Sequence, residues 1–361
     1  MEHASRHAGA RLVPRGAATG GVERRGSSLT LEDIVAAALR ADYGIEPTRL
    51  EITERGKDFA ASVFRVSVAG SGPRFVVKTR PADAPRDVAA AIARYLADAG
   101  VQGVVAPIPS LTGSVAARSG SVSLTVYPFI DGRLGIEMEM ADASWRALGA
   151  FARRLHATTL PEDLADAVPR ESYRPAEIDT IARVDAAVRD APSPGDDTAA
   201  RVVDLWHDHR DEILALATRT AALGDALRAR SLPLVTCHAD THTGNLIVDP
   251  AGAVWVIDWD EVVLAPKERD LMFSVGGGIS TELVDANATT RYLEGYGDVD
   301  IDEQALAYYR HAWAVQDVGG YAWRVLLDGS ANVAQRKDAA DILIGLFRPG
   351  EIVDLAARTV A

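Results

Sequence analysis

The spacing of apolar positions changes character four times along the chain. Residues 29–43 repeat at helical spacing, with Ile34, Ala38 and Leu39 on one face. Three short strand-like runs follow at 50–54, 62–68 and 74–79. Turns holding Gly56 and Gly70-Ser71-Gly72 separate them, which predicts an antiparallel meander. Helical spacing returns over 85–99 and stops at Gly100. Over 121–127, Val122, Leu124 and Val126 alternate with Ser and Thr, predicting a further strand that Pro128 closes. Past the turn at Asp131-Gly132 the pattern is mainly helical. Residues 142–157 carry Trp145, Leu148, Phe151, Ala152 and Leu155 at helical spacing; 199–229 predict one long helix or two, and helices dominate again over 280–359. Residues 169–198, with Pro192, Pro194 and paired acids, predict a loop-rich excursion. The pattern implies an α+β, two-lobed molecule. A small antiparallel-sheet lobe over 29–127 leads into a larger, mainly helical lobe over 128–361, and 1–28 is expected to be a disordered lead.

Residues 237–260, Cys-His-Ala-Asp-Thr-His-Thr-Gly-Asn-Leu-Ile-Val-Asp-Pro-Ala-Gly-Ala-Val-Trp-Val-Ile-Asp-Trp-Asp, break this regularity. Apolar runs at 246–248 and 254–257 flank Asp249-Pro250-Ala251-Gly252, the signature of a β-hairpin with a tight turn. Pairing across it is expected to bring Asn245 about opposite Asp258. Directly opposed residues lie only about 4.5–5.5 Å apart, so the two oxygen-bearing side chains can share one hard cation such as Mg²⁺. Asp240, in the loop entering the hairpin, is free to face the same point as a base or orienting group.

Composition narrows the partners. Charged residues number 51 acidic against 38 basic, a net charge of −13. That disfavours nucleic acid, which selects a basic face; the acidic surplus fits either a solvated surface or a cationic small-molecule partner, and composition does not choose between them. Cys237 is the sole cysteine, so neither an intramolecular disulfide nor a cysteine-based zinc site is expected, and a reducing, cytoplasmic setting fits. No apolar run approaches the ~18 residues of a membrane span, and a secretory signal is not expected.

His238-Ala239-Asp240, Asn245 five residues later and Asp258-Trp259-Asp260 thirteen after that have the catalytic-loop and metal-Asp spacing of protein-kinase-like enzymes. The sequence resembles the aminoglycoside phosphotransferase and choline kinase family over roughly residues 45–330. Residues 265–273, Ala-Pro-Lys-Glu-Arg-Asp-Leu-Met-Phe, and 308–313, Tyr-Tyr-Arg-His-Ala-Trp, look closest to its spectinomycin phosphotransferase branch. The resemblance implies a protein-kinase-like fold and transfer of the ATP γ-phosphoryl group to a hydroxyl of an aminocyclitol or aminoglycoside antibiotic. Two alternatives stand beside it: a kinase for a metabolite such as choline, homoserine or a thiosugar, and a non-catalytic kinase-like binding module.

The same resemblance implies roles for individual residues. Asp240 is the catalytic base; Asn245 and Asp258 hold Mg²⁺. Lys78, ending the strand Phe75-Val76-Val77, binds the nucleotide phosphates. Its usual helix Glu is missing, because residues 81–100 contain none, and Asp87 is the expected replacement. Gly56 and Ser62 belong to the expected phosphate-covering turn. Pro128, through its carbonyl, and Ile130, through its N–H, are expected to meet the adenine. His238 and Asp270 are expected to order the loops of the site, and Glu268, Arg269 and Asp270 to brace the loop after Asp258 through capping or an internal ion pair. Finally, Tyr309, Trp313, Asp317 and Tyr321 recur every four residues and so share one helix face. This stripe is expected to face the acceptor, with Asp317 pairing a ligand ammonium.

Overall fold

The computed structural model of the protein describes residues 30–53, 61–82, 87–190 and 195–359. The expected lead over 1–28, the turn at Gly56, Pro192, Pro194 and the Asp87 side chain lie outside the described residues. The chain opens with helix α1 (Leu31–Tyr43), started by a Thr30–Asp33 capping box and stopped at Gly44, whose φ is +65°. Its apolar face, Val35, Ala38, Leu39 and Tyr43, covers one side of a five-stranded antiparallel sheet. The strands are β1 (Arg49–Thr53), β2 (Ser62–Ser67) and β3 (Pro73–Pro81), then, after helix α2 (Asp87–Asp98), β4 (Ala117–Ser119) and β5 (Val122–Pro128). Their order is β1-β2-β3-β5-β4. The inward members Phe64, Val66, Val77, Leu124 and Val126 complete a small core with α1. The predicted meander is present. Strand β4, too short for its alternation to register, escaped the sequence.

Helix α2 falls within the segment expected as the small lobe. Its buried residues Ala89, Ile92, Ala93 and Leu96 nevertheless join the larger core. The chain after it is tied there as well, since Val105 N–H donates to Val256 O at 3.1 Å and Val256 N–H to Gly103 O at 2.7 Å.

The larger lobe is built from strand β6 (Arg133–Leu134), helices α3 (Asp142–Ala157), α4 (Glu162–Ala167), α5 (Glu177–Asp190) and α6 (Asp197–Arg228), strands β7 (Val235–Cys237), β8 (Leu246–Val248), β9 (Val254–Val256) and β10 (Val263–Ala265), and helices α7 (Glu268–Leu271), α8 (Ala286–Tyr296), α9 (Glu303–Leu326), α10 (Val333–Gly345) and α11 (Ile352–Arg358). Two small sheets, β6-β8-β9 and β10-β7, carry the loops that matter below. Helices α3 and α8 cross with backbone touching backbone. A Cβ at Gly149 would overlap the Tyr292 carbonyl, and one at Gly295 the Arg146 carbonyl. No helix among the described residues is long and apolar enough to cross a membrane.

The loop-rich excursion expected over 169–198 is corrected by α5. Ile178, Ile181, Val184 and Val188 recur at helical spacing and the last three are buried, so the apolar face outweighs the flanking prolines. Asp185 is buried on that face. Trp206 Nε1–H donates to it at 3.2 Å, and Arg210 grips both its oxygens at 2.7 and 2.9 Å, which joins α5 to α6. The Arg210 hydrogen bonds, followed in effect by Trp206 and Arg189, hold its carboxyl below the usual range against the opposing effect of burial. A depressed folded pKa stabilises above the unfolded value and loses that stability as pH falls through the folded one. Asp185→Asn is therefore expected to cost about 2–3 kcal/mol near pH 7. The gap in melting temperature should close as pH drops below about 4. Thermal melts of both proteins at several pH values check this; a gap that stays constant with pH would assign the loss to packing instead.

Candidate active site

The hairpin β8–β9 forms as expected, with Leu246 opposite Val256 and Val248 opposite Val254. Continuing that register places Asn245 opposite Ile257, whose N–H donates to Asn245 O at 3.0 Å. Asp258 is therefore one residue beyond the cross-strand partner of Asn245, a correction to the expected pairing. The chain turns sharply there. Asp258 has φ +62°, in the left-handed region that non-glycine residues rarely occupy.

Asp240 is fixed by Asn245, whose Nδ2 donates to Asp240 Oδ2 at 2.6 Å and to the Asp240 carbonyl at 2.9 Å. The other carboxylate oxygen, Oδ1, is buried and has no hydrogen bond among the described residues. Burial pushes the Asp240 carboxyl well up, and the negative charge of Asp258 adds to this, while Arg269 and the Asn245 hydrogen bond oppose it. His242 Nε2 lies 3.5 Å from Oδ1. The Asn245 amide spends its nitrogen on Asp240, so its Oδ1 is the atom left to meet a cation.

Two cations rise from β3. Lys78 Nζ meets Asp258 Oδ1 at 2.9 Å and Asp260 Oδ2 at 2.5 Å, and Arg80 pairs with Asp260. Lys78 and Asp260 are 12% and 13% exposed, whereas Asp258 is 38% exposed, so Asp258 is the carboxylate open to the cleft. Burial pushes its carboxyl up, but the charge and hydrogen bond of Lys78 more than reverse this. Asp258 Oδ2 has no hydrogen bond among the described residues. Arg80 was not foreseen, although residues two apart on a strand share a face and the sequence held that signal.

The catalytic loop is anchored from below. Asp270, 1% exposed, accepts from the N–H groups of His238 at 2.9 Å and Ala239 at 2.6 Å. Ala239 has φ +68°, so these two bonds hold a strained turn. Burial raises the Asp270 carboxyl, yet His156 and the further hydrogen bonds bring it below its usual value. His156 reaches Asp270 Oδ2 through Nε2 at 3.1 Å and the Tyr296 hydroxyl through Nδ1 at 2.8 Å. His156, near the end of α3, thus bridges two residues that each lie more than 100 positions away in the chain. His238 is fully buried, with burial lowering its pKa. Its Nδ1 accepts from Asp240 N–H at 3.2 Å and its Nε2 meets Ile257 O at 3.0 Å, which ties the base loop to the residue before Asp258. Cys237 is buried and its thiol points to the Ala265 and Pro266 carbonyls.

Helix α9 carries the four residues of the expected stripe in two parts. Tyr309 and Trp313 are buried, and the Tyr309 hydroxyl and Trp313 Nε1–H lack partners among the described residues. Asp317 and Tyr321 are half-buried, and the charges of both Asp317 and Asp240 act on the Tyr321 hydroxyl. The Tyr321 end of the stripe is thus within electrostatic reach of Asp240. Arg269 stacks over the Tyr309 and Trp313 rings, with its guanidinium carbon 5.7 and 5.4 Å from their centroids. Ser62 opens β2 opposite Thr79, which precedes Arg80 on β3. Pro128 ends β5 opposite Phe75, and Ile130 follows where the small sheet passes into the larger lobe.

A profile of the family described as "Phosphotransferase enzyme family" matches residues 51–336, well over half the chain. A spectinomycin phosphotransferase, solved with ADP and spectinomycin, is 26% identical with a TM-score of 0.82, over 90% of this chain and 97% of that one. A choline/ethanolamine kinase family protein from Mesorhizobium loti is 18% identical with a TM-score of 0.51, over 91% and 99%. A macrolide 2'-phosphotransferase from Brachybacterium faecium is 21% identical, also with a TM-score of 0.51, over 87% and 98%. No curated protein is a significant sequence match.

Proposed function

The chain belongs to the phosphotransferase enzyme family, an ATP-dependent kinase group, and we propose that its acceptor is an aminocyclitol of the spectinomycin type. The observation that carries this reading is the Asp240 carboxylate, which has one oxygen pinned by Asn245 and the other buried and unspent, within electrostatic reach of the Tyr321 end of the stripe. Likeness to the spectinomycin enzyme over nearly all of both chains supports the choice of acceptor.

Each residue has a task in this reading. Asp240 Oδ1 accepts the proton of the acceptor hydroxyl as the oxygen attacks the γ-phosphorus. The bond from that phosphorus to the bridging oxygen of the leaving group breaks, and ADP departs. Lys78, with Arg80 beside it, meets the nucleotide phosphates. His238 and Asp270 hold the strained loop so that Asp240 keeps its aim. Asn245 Oδ1 and Asp258 Oδ2 are hard oxygen donors that suit Mg²⁺. When bound there, the ion supplies neutralising charge to the β- and γ-phosphates. Asp317 takes a ligand ammonium, which fits the acidic balance of the chain. Inactivation of such an antibiotic would confer resistance.

The test is a phosphorylation panel holding spectinomycin, kanamycin, choline and ethanolamine. Spectinomycin is expected to give the highest kcat/KM, and Asp317→Asn to raise its KM about tenfold or more, the loss of one hydrogen bond to a charged group. Turnover of choline or kanamycin without spectinomycin would reject the acceptor. An unchanged KM in the Asp317 variant would remove the stripe from the binding face.

A further inference from the structure

Arg269 is the one cation stacked on the acceptor stripe among the described residues, and its guanidinium makes no hydrogen bond or ion pair there. Arginine in a protein usually spends its five N–H donors on carboxylates or carbonyls. Here the guanidinium carbon lies over the Tyr309 and Trp313 rings, 5.7 and 5.4 Å from their centroids, an attraction to the ring faces that uses none of the N–H donors. Phe273 supports the platform by meeting Trp313 edge-on at 4.9 Å. The side chain is half-buried, and its charge reaches Asp240. A planar donor fork held over two rings, with its charge felt at Asp240, differs from a solvated surface group.

We propose that Arg269 is a specificity residue whose edge donates to uncharged oxygens of the acceptor, such as a carbonyl, ether or hydroxyl next to the phosphorylated position. This rests on the acceptor reading above and sharpens it. Along α9, Asp317 lies four residues past Trp313, about 6 Å at 1.5 Å per residue, and Tyr321 about 12 Å past it. The cleft is therefore bipolar. It asks for oxygen at the Arg269 end and an ammonium roughly 6 Å further along, within the span of a compact fused-ring acceptor. An acceptor with ammonium groups at both ends would bring one of them against the guanidinium, and like charges in contact are strongly disfavoured.

The experiment uses the full chain and two variants, Arg269→Gln and Arg269→Lys, with initial rates measured against spectinomycin and against ATP. Gln removes charge and fork; Lys keeps the charge and loses the fork. We expect Arg269→Gln to raise the spectinomycin KM by about tenfold or more, with the ATP KM within about twofold. Arg269→Lys should fall between the two. An unchanged spectinomycin KM overturns the proposal, and so does a fall in kcat alone, which would mean contact only in the transition state. Should Arg269→Gln lose its cooperative melt, the Lys variant decides, since an unchanged KM there also overturns the fork. Turnover of another acceptor instead of spectinomycin would reject the acceptor reading; the same variants on that acceptor would then judge Arg269 by the same KM criterion. Absence of turnover with every acceptor rejects both.

Discussion

Asp240→Asn is expected to lower kcat by about 10²–10⁴-fold, the usual contribution of a placed general base, while Mg²⁺-dependent ATP affinity stays within about twofold. The substitution keeps volume and keeps an oxygen for the Asn245 Nδ2 hydrogen bond at 2.6 Å. It places an NH₂ group where the unspent Oδ1 now stands, so a donor faces the acceptor hydroxyl where an acceptor is needed. Single-turnover rates together with calorimetric ATP titration separate the two quantities. Turnover within a few-fold of the parent would take Asp240 out of the mechanism.

The second large effect belongs to Asp258. Asp258→Ala should weaken Mg²⁺-dependent nucleotide binding by more than about 10²-fold, since loss of an outer partner of a metal ligand already costs 10–100-fold. Asn245→Ala should do less, because a neutral amide contributes less to a cation than a carboxylate. The substitution also frees Lys78 from its 2.9 Å partner while leaving Asp260 in place. Metal-free nucleotide binding should therefore survive or improve. ATP titrations with Mg²⁺ and with chelator give both numbers, and equal metal dependence in parent and variant would rule out Asp258 as a ligand.

The catalytic stretch was legible because its chemistry is local. A hairpin turn and fixed offsets bring Asp240, Asn245 and Asp258 toward one point whatever surrounds them. Even there, the register erred by one residue, because it is set by the loop that pairs Val248 with Val254, whose residue count the apolar runs alone do not fix. The meander was legible from alternation with glycine turns, whereas α5 was hidden by prolines on both sides. The bracing of the loop was only half visible. Asp270 could be named, yet its partner His156 sits 114 residues away in the chain. Arg269 was assigned to bracing because it adjoins Asp270; only the packing of α7 on α9 turns it toward the rings.

The helix after Lys78 has a thermodynamic allegiance that its place in the chain conceals. Ile92, Ala93 and Leu96 are completely buried in the larger core, while Val77, next to Lys78, is buried in the smaller one. The parts that lose structure together in a sub-global opening are set by shared burial, not by contiguity. If the sheet frays or tilts, β1 to β5 and α1 go as one cooperative unit, and α2 keeps its protection with α4 and the turn at Trp259–Glu261. The chain therefore crosses between units twice within a few dozen residues, after β3 and again before β4. The Lys78–Asp258 and Arg80–Asp260 pairs already join the two units, and a nucleotide bound there would add to them, so the enzyme would melt more cooperatively with it than without.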